Sequence, residues 1–216
     1  SADITESDTE SLKYMREEEK LARDFYREMY KKYSVKPFKN IKEAEQIHMD
    51  AVKDLLAANN IEDPVKSDET GSFTNTELKA LYDKLIEKGN LSLTEALNAG
   101  ALIEETDIND LNKEINSTSN QTIKDSYTYL KHASENHLRA FVRNLKFNNI
   151  EYSPVVLSKD EYDKIISSDN SGNNNGCINK NNGKCQNNCN GKGNRNNKGN
   201  NNNRNNFKNN PDCPYR

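Results

Sequence analysis

The sequence predicts an all-α fold carried by four long amphipathic helices. Apolar residues recur at a period near 3.6 through four segments, polar or Pro/Gly-containing breaks separate them, and the apolar residues are concentrated before about residue 166. With only 32% hydrophobic residues and a mean hydropathy of −1.08, the chain is too polar for a core spread evenly along its length. We therefore place one helical domain at residues 1–169 and a separate tail at 170–216.

Thr9 or Asp8 can cap a first helix running through Leu12 to about Tyr33, and Pro37 bars its continuation. Its buried stripe reads Leu12, Met15, Glu19, Ala22, Tyr26 and Met29. Glu17 and Glu18 read as solvated charges, although Glu18 stands close enough to the seam to rival Glu19. The second helix, about Ile41 to Ala58, puts Ile41, Ala44, His48, Val52 and Leu55 on its apolar face, and Glu45 shares that face with His48. Asn59-Asn60 ends it, and residues 65–74 read as a connecting loop. A shorter helix, Asn75 to Lys88, presents Leu78, Leu81, Tyr82 and Leu85 before Gly89-Asn90 stops it.

From Ser92 a further long helix opens with Ser-Leu-Thr-Glu, the residues of a capping box. Its stripe is Leu97, Ala101, Glu104, Ile108, Leu111 and Ile115, with Asp107 one turn on from Glu104. The last long helix, about Thr122 to Phe147, aligns Ile123, Tyr127, Leu130, Ser134, His137, Phe141 and Leu145, while His132 falls off that line and reads as a surface residue. A small helix, Ser158 to Ile166, is expected to pack on the end of the others.

Each long helix thus carries a ligand-type residue at mid-length on its buried stripe: Glu19, Glu45 with His48, Glu104, and His137. A buried ionised carboxylate lacks water, and a pair of divalent cations would supply the missing charge. Mixed carboxylate and imidazole donors suit iron or manganese, whereas cysteine would be expected at a structural zinc site. Singly, each residue has a plainer reading, as a glutamate extending to water from the edge of a stripe or a histidine hydrogen-bonded in the core. Together, with a candidate on every long helix, they favour the metal reading.

Residues 8 to 150 resemble the ferritin-like superfamily, in particular its bacterial and archaeal DUF2202 branch. Glu19-Lys-Leu-Ala22-Arg-Asp-Phe-Tyr26 is similar to the first ligand helix of that family, Glu45-x-x-His48 is the paired motif of the second, and Ala101 to Ile108 and Ser134 to Phe141 resemble two further segments. The resemblance implies an up-down four-helix bundle holding two non-haem irons in its core. Glu19 and Glu104 would then bridge or cap, Glu45 would bridge, and His48 and His137 would each end one iron. It implies reaction with dioxygen or peroxide, by iron oxidation or peroxide reduction. The superfamily plan sets Glu-x-x-His on two helices. This chain departs from it once: Ser134 stands three residues before His137, so that either Asp107 or Glu135 supplies the missing carboxylate or the second metal is weakly held. Tyr26 would be a hydrogen-bond partner near Glu19, a one-electron donor, or simply a satisfied core tyrosine.

The tail is rich in Asn, Gly and Lys, cannot bury enough apolar surface to offset the entropy of ordering, and is expected to be disordered. It carries eight Lys and Arg against Asp212 alone, a net +7, so that residues 1–169 carry −10 of the overall −3. Phe207 and Tyr215 are too few aromatics for a nucleic-acid tail. All four cysteines, Cys177, Cys185, Cys189 and Cys213, lie there at spacings that match no zinc module; disulfides come first, ahead of loose metal binding or idle thiols. These cysteines, the Asn-rich tail and the absence of an initiator Met lean towards an exported or cell-surface protein. No membrane span is expected, and a homo-oligomer is allowed. The competing expectation is a non-enzymatic exported binding or structural module with one metal or none.

Overall fold

The structure is a computed structural model, and residues 3–168 are described here. The expectations for the tail and its cysteines lie outside the described residues. Among those residues there are six α-helices and no strands: α1 (Glu6–Tyr33), α2 (Lys36–Ala58), α3 (Thr76–Gly89), α4 (Leu93–Ser117), α5 (Gln121–Phe147) and α6 (Lys159–Ser167). No helix among them is long and apolar enough to cross a membrane.

Local chemistry fixes the boundaries. α1 begins earlier than Thr9 or Asp8 would allow, because Thr5 is its N-cap: the Thr5 hydroxyl accepts the Asp8 N–H at 3.0 Å and the Asp8 carboxylate accepts the Thr5 N–H at 2.9 Å. Pro37 sits in the first turn of α2, where its missing N–H has no intrahelical partner to lose, so it both bars α1 from continuing and opens the next helix. Asn75, Ser92 and Asn120 cap α3, α4 and α5 by accepting first-turn N–H groups, and Ser158 with Glu161 forms a reciprocal box at α6.

The core is divided along its length. At one end Leu12, Met15, Val52, Leu56, Leu111, Ile123, Tyr127 and Leu130 pack together. At the other, Phe25, Tyr26, Phe38, Leu97, Leu138, Phe141 and Leu145 belong to a larger cluster. α1 and α5 run from the first cluster to the second, and α2 and α4 run back. The long helices therefore do not alternate strictly up and down, because α3 returns the chain and lets α2 and α4 run the same way. α1 packs along α2 and α4 along α5, with α1 against α4 and α2 against α5. The stretch between the two apolar clusters is where Glu19, Glu45, His48, Glu104 and His137 fall.

The stripes are close to those expected, with local shifts. Ala44, Leu55 and Ile115 are half-buried, Leu81 is exposed, and Glu45 lies squarely on the buried face of α2. The larger difference is α1, which is buried all round from Met15 to Tyr26. Glu17 and Glu18, read as solvated, are only 3% and 5% exposed. The connection between α2 and α3 covers Glu17, while Glu18 faces side chains of α3 and α4, among them Leu81, Leu85, Leu102 and Ile103. Arg16 donates to Asp63 at 3.1 Å, Arg23 to Asp68 at 2.7 Å and Lys20 to the Glu69 carbonyl at 2.8 Å, while Glu17 accepts the Thr74 and Asn75 N–H groups at 2.5 and 2.8 Å. Lys20 and Arg23 both bond to the fully buried Asp24, so these charges enter the interior paired.

Candidate metal centre

The i, i+3 spacing of Glu45 and His48 on α2 turns both side chains inward, and three other helices meet them at the same depth. His48 Nδ1 lies 2.7 Å from Glu45 Oε2 and 3.3 Å from Glu19 Oε2. His137 Nδ1 lies 3.0 Å from Glu45 Oε1 and 3.4 Å from Glu104 Oε2. The two imidazoles stack with their centroids 5.6 Å apart. Glu19, Glu45 and His48 form one triad, and Glu45, Glu104 and His137 a second, each with its ligand atoms within 4.8 Å of one another. Glu45 belongs to both, one oxygen turned to each histidine.

All five sequence candidates are therefore brought together. The carboxylates are 2% exposed and the His137 side chain, the most open, 12%. Tyr26 supports them, but through Glu104 rather than Glu19: its hydroxyl donates to Glu104 Oε1 at 2.5 Å. The rings of Phe38 and Phe141 flank Tyr26 with centroids at 6.2 and 5.2 Å, walling the site off from water on that side.

Two further carboxylates share the site. A cavity of about 10 Å³, room for one water-sized body, is lined by Glu18, Glu19, Glu45, Glu104 and Asp107. Asp107 accepts a short hydrogen bond from the Ser134 hydroxyl. Glu135 points elsewhere, pairing with Lys131 and with the exposed His132. Asp107 was legible as the residue one turn from Glu104. Glu18 gave only its closeness to the seam, since its burial comes from packing outside its own helix.

Electrostatics follow from burying five carboxyl groups with two imidazoles. Burial pushes Glu19 up to about 8, and the neighbouring Glu45 charge adds to it. Glu104 is raised by burial against the opposing pull of His137, and Glu18 and Asp107 are raised well above the ordinary carboxylate range by burial, to which the Asp107 charge adds at Glu18 and the Glu19 charge at Asp107. Glu45 is the exception: burial works against its charge, but His137 and His48 outweigh it and hold it below the ordinary range. Burial likewise disfavours the imidazolium ions, yet their carboxylate partners raise His48 to about 12 and His137 to about 10.

These residues fit a pair of divalent cations. Glu18 Oε2, Glu19 Oε1 and Asp107 Oδ1 are buried without a hydrogen-bond partner. Hard oxygen donors with two imidazoles and no thiol match iron or manganese, and the excess of carboxyl over imidazole is the charge such ions would balance.

A family profile described as "Uncharacterized protein domain (DUF2202)" matches residues 8–169. The chain is 53% identical over 165 residues to the uncharacterized protein MJ0754 of Methanocaldococcus jannaschii, an alignment spanning 76% of this chain and 89% of that one. It is also similar to a crystal structure of hypothetical protein MJ0754 from Methanococcus jannaschii, with a TM-score of 0.77 at 52% identity, covering 78% of this chain and 97% of the other. With most of its length matched in this way, the chain belongs to the DUF2202 family.

Proposed function

We propose that the domain is a ferritin-like four-helix bundle whose two triads hold a pair of non-haem irons, or manganese, that reacts with dioxygen or peroxide. One observation carries this reading: Glu45 is common to both triads, with its two oxygens directed to two different histidines. A bridging carboxylate between two cations has that placement. The single crossover through α3 adds support, because ferritin-like bundles have one such connection. Glu19 with His48 would hold one cation and Glu104 with His137 the other. When bound, two Fe(II) ions supply the electrons that reduce dioxygen or peroxide.

The chain's own contribution is positional. Tyr26 fixes one oxygen of Glu104, leaving Oε2 towards His137. The aromatic layer beneath excludes water, and the i, i+3 turn of α2 sets Glu45 and His48 against one another before any cation arrives. An anaerobic Fe(II) titration followed by exposure to dioxygen, watched for the absorption of a bridged diferric centre, tests the proposal. About two irons per chain, lost in Glu45→Ala and in His48→Ala, is the expected result. No retained iron after anaerobic loading refutes it.

A second reading has its own observation. Both histidines already lie at ion-pair distance from carboxylates, so a buried polar network without cations would serve a non-enzymatic helical module. Metal analysis of the purified protein separates the two.

A further inference from the structure

α3 has 14 residues against 28 in α1 and 25 in α4, so it is too short to cover the whole seam between those two helices. Where the three meet, a pocket of about 280 Å³ remains. α1 lines it with Glu18 and Leu21, α3 with Leu81 and Leu85, and α4 with Leu102, Ile103 and Thr106. These residues recur at i, i+3 or i, i+4, so each helix turns a single face to the space. Leu21, Leu85 and Ile103 are buried, whereas Leu81, which the periodicity of α3 put on its buried stripe, stands 36% exposed.

Among the described residues that line the pocket, Glu18 alone is charged. It is 5% exposed, its Oε2 has no hydrogen-bond partner, and it belongs to neither triad. Thr106, the other polar side chain there, spends its hydroxyl proton on the Leu102 carbonyl at 2.9 Å. An acceptor buried among leucines without a donor is costly. An apolar pocket with one such unanswered polar group is built like a small-molecule site, in which the apolar wall supplies contact and the polar group fixes orientation.

We propose that this pocket binds a small, uncharged, largely apolar molecule through one hydroxyl, which donates to the Glu18 carboxyl group while the apolar body packs against the leucines and Ile103. Volume sets the size. An apolar cavity of about 150 Å³ takes one benzene ring, so this one takes a ring with a short hydroxyl-bearing arm, or a chain of similar bulk. An ammonium group brings three donors to a wall with a single carboxyl group, whereas a hydroxyl brings one. The site goes beyond the metal reading and does not need it. Glu18 and Ile103 also line the small cavity beside the triads, so the hydroxyl end of a bound molecule lies at the wall shared with the candidate metal centre.

The test uses the full 216-residue chain treated with chelator. Benzyl alcohol and toluene, which share a ring and differ in the hydroxyl, are titrated in while the Leu and Ile methyl resonances are followed by NMR. In the wild type benzyl alcohol shifts the methyls of Leu85, Leu102 and Ile103 to saturation. Glu18→Leu leaves the hydroxyl without an acceptor, so the affinity for benzyl alcohol relative to toluene falls by about tenfold or more. Leu102→Trp, which fills the pocket and keeps Glu18, weakens both probes by about tenfold or more. Wild-type methyls that do not move, an unchanged affinity ratio in Glu18→Leu, or unchanged affinities in Leu102→Trp each overturn the inference, and the pocket then holds water only. Far-UV circular dichroism checks that each variant folds; if Glu18→Leu does not, Leu102→Trp decides, and if neither does, the wild-type methyl shifts decide.

Discussion

Replacing Glu45 by Gln removes one charge from the midpoint of the site while keeping its shape. In the metal-free protein the carboxylate meets His48 at 2.7 Å and His137 at 3.0 Å, with both imidazoles largely out of solvent and held in the charged form. Breaking a buried pair costs about 3–5 kcal/mol. The lower end applies here, since His48 keeps Glu19 at 3.3 Å and His137 keeps Glu104 at 3.4 Å. A loss of about 3 kcal/mol lowers Tm by roughly 6–12 °C for a domain of this size. The sign depends on pH. Glu45 is depressed from 4.5, so its share is lost as pH falls through its folded value; the histidines are raised from 6.5, so theirs is whole below 6.5 and lost as pH rises towards about 10 for His137 and about 12 for His48. The gap between wild type and variant is therefore widest at about pH 5 to 6.5. Thermal unfolding followed by circular dichroism across that range measures it. Adding Mn2+ at 100 times its Kd stabilises the wild type by about 2.7 kcal/mol more and leaves Glu45→Gln behind. A variant as stable as the wild type without metal, or one that gains as much with it, refutes the reasoning.

Three further outcomes follow from separate parts of the fold. At Gly100 an added Cβ would stand 2.7 Å from Phe141 Cε1 and 2.8 Å from Cζ, with the ring wedged against Tyr26, so Gly100→Ala costs about 1–3 kcal/mol in denaturant titration. Glu105 Oε2 accepts from the Tyr152 hydroxyl at 3.0 Å and the Val155 N–H at 2.8 Å; Glu105→Ala loses about 2–3 kcal/mol and exposes the amides of residues 155 and 156 to hydrogen exchange. Burial opposes the charge of Asp8, but hydrogen bonds from Thr118 and Thr5 lower its pKa overall, so it stabilises the fold above the ordinary value of 3.8 and ceases to do so as pH falls through its folded value. Asp8→Asn is accordingly less stable at pH 6 and loses less on acidification, which a pH series of unfolding midpoints reads directly.

The helices and the five triad residues were legible because both are local signals. A period of 3.6 reports which side of a helix is apolar, and a glutamate or histidine breaking into that side announces itself, as Glu19, Glu104 and His137 do. Glu17 illustrates what such a signal omits. With Arg16, Lys20 and Arg23 it forms a charged face that any periodicity argument assigns to solvent, and that face is buried because residues 63–75 lie across it. The covering is built by pairing those charges: Asp63, Asp68 and the Glu69 carbonyl answer Arg16, Arg23 and Lys20, and Glu17 accepts two loop amides. No count along α1 contains that information, since the partners are more than forty residues away. The same non-locality hid the role of Ser134. Its sequence position marked a missing ligand, and only the approach of α4 to α5 makes it the anchor of Asp107. A polar centre of this kind is therefore specified in two layers: ligand-type residues written into each helix, and supporting groups fixed by which helices and loops the chain brings beside them.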